Sequence, residues 1–292
     1  MTLHEIPLER RTLHGHFSRD LEPAVTVEPA DTVRIATPSS GWWLESRERF
    51  EPRDDELDAG HALAGPIELR GARAGQTLSV RIDSVRPGSW GITPTDDEHA
   101  VSWELDAGDG IGRALGLQVA LRPFLGVVGM PPPEPGRHST TPPRRWGGNI
   151  DCKELVAGAT LFLPIPVDGA LVSAGDGHAC QGDGEVCGCA IECPVEAELT
   201  LDVRDDLPLE WPVAHTPDAW ITFGFDEDLD QAAAIATEGM VVLIEREHGV
   251  ERADALALAS VVADLRVTQV VNETKGVHAM LPHDAIGSTR DS

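Results

Sequence analysis

The stretch GPIELRGARAGQTLSVRIDSVRPGSWGI, residues 65–92, decides the fold class. It holds two strand-like runs, Pro66–Arg70 and Thr77–Val85, separated by the glycine-rich turn GARAG. Short runs rich in Val, Ile and Leu that alternate with polar residues and end in Gly or Pro read as half-buried strands. Upstream, TVRIATPSSGWW (32–43) alternates in the same way and stops at Ser-Gly. Repeated over residues 20–125, this spacing predicts an antiparallel sandwich or barrel rather than βαβ units. A chain of 292 residues suits one large domain or two closely packed ones.

Downstream, MPPPEPGRHSTTPPRRWGGN (130–149) is too dense in Pro and Gly for a helix or a central strand. With Trp146 and an Arg pair, it reads as an ordered loop crossing the surface near a site. TLFLPIPVDGALVSAGDGH (160–178) and EVCGCAIECPVEAELTLDVR (185–204) are strand-like again. The period then changes. Leu229, Ala232, Ala233, Ala236, Met240, Val241 and Ile244 form a helical stripe over Leu229–Glu247, with Gly239 against it. Arg252–Leu265 repeats the pattern after a break at His248-Gly249, and Arg266–Val271 alternates as a strand. The expected fold is mainly β: a β-sandwich-rich antiparallel core with an α+β C-terminal part. Residues 1–205 are expected to carry the site segment, and residues 206–292 to pack on them.

Lys and Arg number 23 against 49 Asp and Glu, a formal net charge of −26. Such a field repels polyanions, so neither nucleic acid nor an anionic membrane surface is an expected partner. The two lysines, Lys153 and Lys275, are outnumbered by arginines, a balance that fits a salt-adapted or GC-rich host. MTLHEIPLERRTLHGHF has no apolar signal core, and no run approaches the roughly 18 apolar residues of a membrane span. A cytoplasmic protein is therefore expected. Its cysteines, Cys152, Cys180, Cys187, Cys189 and Cys193, fall in one central segment. An odd number without a secretion signal argues against a disulfide framework.

The densest chemistry lies in GGNIDCKEL (147–155) and SAGDGHACQGDGEVCGCAIE (173–192). Asp151, Asp176, Asp183, Glu185, Glu192 and His178 stand there among glycines, which permit positive φ and close backbone approach. On an extended Val172–His178, Asp176 and His178 at i and i+2 project from one face. A carboxylate and an imidazole so placed make half of a site for a divalent metal, with Asp151 able to supply a third ligand. His61, at the start of a strand-like run, is a further candidate. His138 and His278 are weaker ones, and His4, His14 and His16 read as surface or tail residues.

Three other chemistries compete for this segment. GDGHACQGDGE suggests a calcium loop but lacks the EF-hand run of ligands. Cys187, Cys189 and Cys193 share strand parity, which fits zinc ligation or small residues facing a core. Cys152-Lys153 suggests the nucleophile of Glu-Lys-Cys amidases, but strand neighbours face opposite ways and the βαβ pattern of that fold is missing.

Taken together, LRPFLGVVGMPP (121–132), HSTTPPRRWGGNIDCKEL (138–155), GALVSAGDGHACQGDGEVCGCAIE (169–192), LDQAAAIATEGMVVLI (229–244) and LALASVVADLRVTQVVNETKGVHAMLP (256–282) resemble the acetamidase/formamidase family. HALAGPIELRGARAGQTLSV (61–80) is similar to that family's early block. Cys152, Cys180 and Cys189 depart from it, standing where ordinary small or apolar residues are expected. The resemblance implies a β-sandwich-rich fold and hydrolysis of a small neutral amide, formamide or acetamide, to a carboxylate and ammonia. It also implies a divalent metal, zinc first, with manganese, iron or calcium compatible, and a homo-oligomer.

On that basis Asp151, Asp176 and His178 are expected to hold the metal, with His61 as a fourth ligand. Metal coordination polarises a carbonyl and lowers the pKa of water from about 15.7 to about 7 in the best zinc sites. Glu185, Glu192 and Asp183 form the expected catalytic set, with Glu185 or Glu192 as general base. Gln181, Gly182 and Gly184 are expected to bind substrate and stabilise the oxyanion. Two rival functions remain. One is a metal-dependent binding module with Trp42, Trp43, Trp90 or Trp146 as an exposed platform. The other is a hydrolase of larger amides or lactams.

Overall fold

A computed structural model describes residues 1–54, 56–96 and 98–287. Two large sheets form a sandwich. The first has nine strands, ordered across the sheet as Leu3–Ile6, Asp31–Thr37, Val195–Arg204, Thr77–Pro87, Thr160–Pro164, Val213–His215, Ala219–Asp226, Lys275–Pro282 and Asp264–Gln269. The second has eleven, and its central path runs from Trp90–Pro94 through Glu192–Cys193, Val172–His178 and Phe124–Gly129 to Gly147–Asn149. Leu63–Leu69 also pairs with Val172–His178. Neighbours are mostly antiparallel, as expected, with parallel pairing at Leu3–Ile6 on Asp31–Thr37 and at Val25–Val27 on Leu63–Leu69.

The two runs of the opening stretch do not form a hairpin. Leu63–Leu69 lies in the eleven-stranded sheet and Thr77–Pro87 in the nine-stranded one, so GARAG turns a corner between layers. Their inward residues, Ile67 and Leu69 against Leu78, Val80 and Ile82, are wholly buried in one core cluster. Asp31–Thr37 shows the period-two rule directly: residues 31, 33, 35 and 37 are buried and those between are half-exposed. Val172–His178 is buried along its whole length, as its small residues allow.

The C-terminal part is α+β. Helix α1 (Leu229–His248) starts at Asp228, whose side chain accepts from the N–H groups of Asp230 and Gln231, and ends at Gly249 with φ 63°. Helix α2 (Arg252–Val262) is shorter than its pattern suggests, because Ala263 is already extended and Asp264 opens the edge strand. Gly224 lets α1 lie against the sheet, since a Cβ there would meet the Ala232 carbonyl oxygen at 2.0 Å. The helices have their own buried cluster, around Ala236, Met240 and Ile244. The nine-stranded sheet nevertheless runs without a break from strands before residue 205 into strands after it.

Two sequence expectations are corrected. Residues 185–189 are a turn, not a strand: Glu185 (φ 46°) and Gly188 (φ 87°) reverse the chain, and the Gly188 N–H donates to the Glu185 carbonyl. The strands are Glu192–Cys193 and Val195–Arg204, so Cys187, Cys189 and Cys193 share no strand face. His14 is buried rather than superficial, donating from Nδ1 to the His16 carbonyl and accepting from Ser173 at Nε2. In the Pro-rich loop, Thr140 is fully buried. Among the described residues no helix is long and apolar enough to cross a membrane.

Candidate metal centre

The centre is built where Phe124–Gly129, Val172–His178 and Glu192–Cys193 lie side by side. Asp176 and His178 come from the middle strand, and Glu192 is the cross-strand partner of His178. Two glycines let the strand fit there. A Cβ at Gly175 would meet the Ala62 carbonyl oxygen at 2.3 Å, and one at Gly177 would meet Val195 Cβ at 2.6 Å. Asp151 follows Gly147–Asn149, and its N–H and that of Ile150 both donate to the Gly126 carbonyl. Glu185 arrives on the 182–188 turn, which is tied to the end of Asp264–Gln269 by Gly184 N–H to Thr268 O (3.1 Å) and Val270 N–H to Gly184 O (3.2 Å). Asp151, Asp176 and Glu185 all have left-handed backbone (φ 53°, 60° and 46°). Such strain in non-glycine residues concentrates at functional sites.

Candidate ligand atoms within 4.8 Å of one another fall into two groups that share His178: Asp151, Asp176 and His178, and His178, Glu185 and Glu192. His178 Nε2 lies 3.3 Å from Asp176 Oδ2 and 3.2 Å from Glu192 Oε1. Its Nδ1–H donates to Gln181 Oε1 (2.9 Å), while Gln181 Nε2 donates to the Asp151 carbonyl (2.8 Å). That bond fixes the tautomer and aims Nε2 at the carboxylates, the usual arrangement behind a ligating histidine. The Phe124 ring packs edge-on against the imidazole at 5.0 Å.

Four buried carboxylates surround one imidazole. Burial and the neighbouring Glu185 push Asp151 well above the usual carboxylate range. Burial brings Glu185 up to about 7 against the opposing charge of His178. Burial opposes ionisation of Asp176 too, but His178 and His61 hold it low. Burial likewise opposes charge on His178, yet Glu192 and Asp176 hold it well above the ordinary imidazole value. Among the described residues, Asp151 Oδ1, Asp176 Oδ1, Glu185 Oε2 and Glu192 Oε2 are buried without a hydrogen-bond partner. A buried, unpaired ion costs several kcal/mol even after relaxation, and a single imidazolium cannot balance four carboxylates. An all-oxygen set with one nitrogen donor therefore fits a divalent cation, which supplies both the charge and the missing partner.

The other expected residues take these places. His61 lies close enough for its charge to act on Asp176, but its Nδ1 is 2.8 Å from Thr140 Oγ1 and it belongs to neither ligand group. Asp183 is exposed and paired with Lys153 (3.0 Å), also outside both groups. Gly184 N–H is engaged by Thr268, whereas a Cβ at Gly182 would meet open space. Sequence reading missed Asn272, whose Nδ2 donates to Asp151 Oδ2 (3.2 Å), and Gly126 beneath the carboxylates. Their only signal lay inside the family-like blocks. Cys152 is fully buried with its thiol pushed up to about 12 by burial, which suits packing and not nucleophilic attack. Trp42 and Trp90 are buried, Trp146 is half-buried against the core and Trp43 is exposed, which leaves little aromatic platform.

This fold and site define a class: a two-sheet β protein with a buried carboxylate–imidazole cluster that could hold a divalent metal. The chain belongs to the acetamidase/formamidase family, whose family model matches residues 3–133 and 134–286. An acetamidase of Mycolicibacterium smegmatis is 26% identical, over 66% of this chain and 65% of its own length. The match thus spans just under two thirds of that relative. Among solved structures, a predicted acetamidase/formamidase from Thermoanaerobacter tengcongensis superposes with a TM-score of 0.84 at 26% identity, covering 96% of this chain and 95% of its own. The acetamidase from Bacillus halodurans gives 0.82 at 26% identity, covering 96% and 97%.

Proposed function

We propose that this protein hydrolyses short aliphatic carboxamides, formamide or acetamide, to the carboxylate and ammonia. The observation that carries the reading is a cluster of four buried carboxylates gathered at His178, each with one oxygen that has no hydrogen-bond partner among the described residues. Asp151, Asp176 and His178 would hold a divalent cation, zinc first among the candidates, with His61 close enough for its charge to act on Asp176. When bound, the cation supplies Lewis acidity to the amide carbonyl and to water. Glu185 takes a proton from water as its oxygen attacks the carbonyl carbon, then passes that proton to the nitrogen as the C–N bond breaks. Glu192, anchored by the Ala190 N–H at 2.9 Å, holds the imidazole from the opposite strand. Gln181 orients His178, and the open backbone at Gly182 faces the substrate.

The membership of an amidase family and the two amidase-like structures support this reading over a sugar- or peptide-binding module. The same reading takes the protein as a cytoplasmic homo-oligomer without nucleic-acid partners, with residues 1–205 carrying the centre and residues 206–292 bracing it. The test is an ammonia assay on formamide, acetamide and a lactam, repeated after chelation and after zinc is restored. Activity should vanish on chelation and return with zinc. Undiminished activity in a metal-free sample would overturn the mechanism, and turnover of the lactam alone would overturn the substrate.

A further inference from the structure

We infer that Asn272, stapled by Gln269, is a positioning residue that turns the Asp151 carboxylate toward the cation; the inference rests on the metal reading above. Gln269 is wholly buried at the end of the edge strand Asp264–Gln269. Its Oε1 accepts the N–H groups of Val271 (3.0 Å) and Asn272 (3.1 Å), and its Nε2 donates to the Thr274 carbonyl (2.7 Å). Both ends of one amide therefore fix the turn, and the turn presents Asn272 Nδ2 to Asp151 Oδ2 at 3.2 Å.

The consequence lies on the other oxygen. A carboxylate rotates over a broad, roughly two-fold torsion, so pinning Oδ2 also sets Oδ1. Oδ1 is the oxygen left without a partner, 3.9 Å from His178 Nδ1. The Asp151 backbone is held independently by the Gly126 carbonyl and by Gln181, so Asn272 acts on the torsion that remains. The same strand end also grips Gly184, next to Glu185, through Thr268 and Val270. One hairpin end thus places two carboxylates that reach the centre from separate parts of the chain. The contact of Asn272 with the centre runs through Asp151 Oδ2, to which its amide N–H donates, which makes its role positioning and not catalysis.

The experiment is calorimetric titration of the metal-free full chain with Zn²⁺ and with Mn²⁺, for the wild type, Asn272→Ala and the near-isosteric Asn272→Leu. Partners behind a metal ligand typically change affinity by about 10–100-fold. Both variants should lose that much while the thermal midpoint of the metal-free protein stays at the wild-type value. Asn272→Leu separates the donor from packing, because a merely space-filling role would leave its affinity intact. Wild-type binding with both variants equal to it would overturn the inference and spare the metal reading. A wild type that binds neither ion would overturn both.

Discussion

Gly126 and Asp176 leave no room for a side chain between them: a Cβ on Gly126 would sit 2.4 Å from Asp176 Oδ2 and 2.8 Å from Asp151 Oδ1. The strands around them pair Leu125 with Gly177 and Val127 with Gly175, so the bare glycine backs directly onto the carboxylates. Gly126→Ala should therefore push Asp176 and Asp151 off the positions that face the centre. Overpacking of this kind costs about 1–3 kcal/mol of stability. Elemental analysis of the purified variant should find little metal, and amide turnover should fall in proportion. A variant with full metal content and an unchanged rate would remove Gly126 from the account.

What the sequence disclosed followed from its periodicities. The alternation in Asp31–Thr37 and the stripe in α1 are local patterns, and the structure keeps both. The spacing of Asp176 and His178 on one strand is local as well, and both side chains reach the centre. The failures were contacts between distant segments or local turns disguised by composition. GARAG gives no hint that it passes between sheets, because only the partner strands Val172–His178 and Val195–Arg204 decide where its flanks pair. EVCGC looked extended, yet left-handed Glu185 and Gly188 turn it. Asn272 lies 121 residues from Asp151, and neither has a pattern that points to the other. Gly126 is legible only once the carboxylates above it are in place.

The cysteines should be dispensable for turnover. Cys152 and Cys193 are buried and their thiols are pushed upward by burial, while Cys187 is exposed. Iodoacetamide on the native protein should label Cys187 first and leave Cys152 and Cys193 untouched until unfolding, as peptide mass mapping would show. Since only an accessible thiolate attacks efficiently, Cys152→Ala should keep its rate to within about threefold. Loss of all activity in that variant would reinstate a cysteine nucleophile.

Two buried imidazoles outside the centre should each add acid sensitivity well above the carboxylate range, opposed in the same window by Asp151 and Glu185, whose raised carboxyls hold protons in the folded state. Burial lowers His14 from the ordinary 6.5 to about 4, and His278 likewise to about 4. Between those values each of these histidines binds more proton in the unfolded chain than in the folded one, so its contribution to stability falls as the pH falls. It is fully present above 6.5 and lost progressively toward 4, by up to about 3 kcal/mol per histidine. Asp31, held down to about 2 by its bond to His4, adds its loss only below that window. Urea unfolding of the wild type and His14→Gln at pH 7.5, 6.0 and 5.0 should show the wild type losing stability relative to the variant as the pH falls, by about one proton's slope. An equal slope in both proteins would mean that His14 does not titrate on unfolding.

Glu185 and Asp183 are two residues apart in sequence and should behave very differently when their charge is removed. Glu185 lies within the His178 cluster with one oxygen unpartnered, whereas Asp183 forms a partly exposed pair with Lys153 at 3.0 Å. Loss of a general base typically slows turnover by about 10²–10⁴-fold. Glu185→Gln should reach that range in kcat, with amide binding followed separately by competition with an unreactive analogue. Asp183→Asn removes an ion pair of a kind worth at most about 1 kcal/mol. It should lower stability slightly and leave most of the ammonia release. The comparison also divides an enzyme from a binding protein: a binder would keep its ligand in both variants and release ammonia in neither. If Asp183→Asn slowed turnover more than Glu185→Gln did, the proton would have to travel through the Lys153 side of the turn, and the assignment of Glu185 as base would fall.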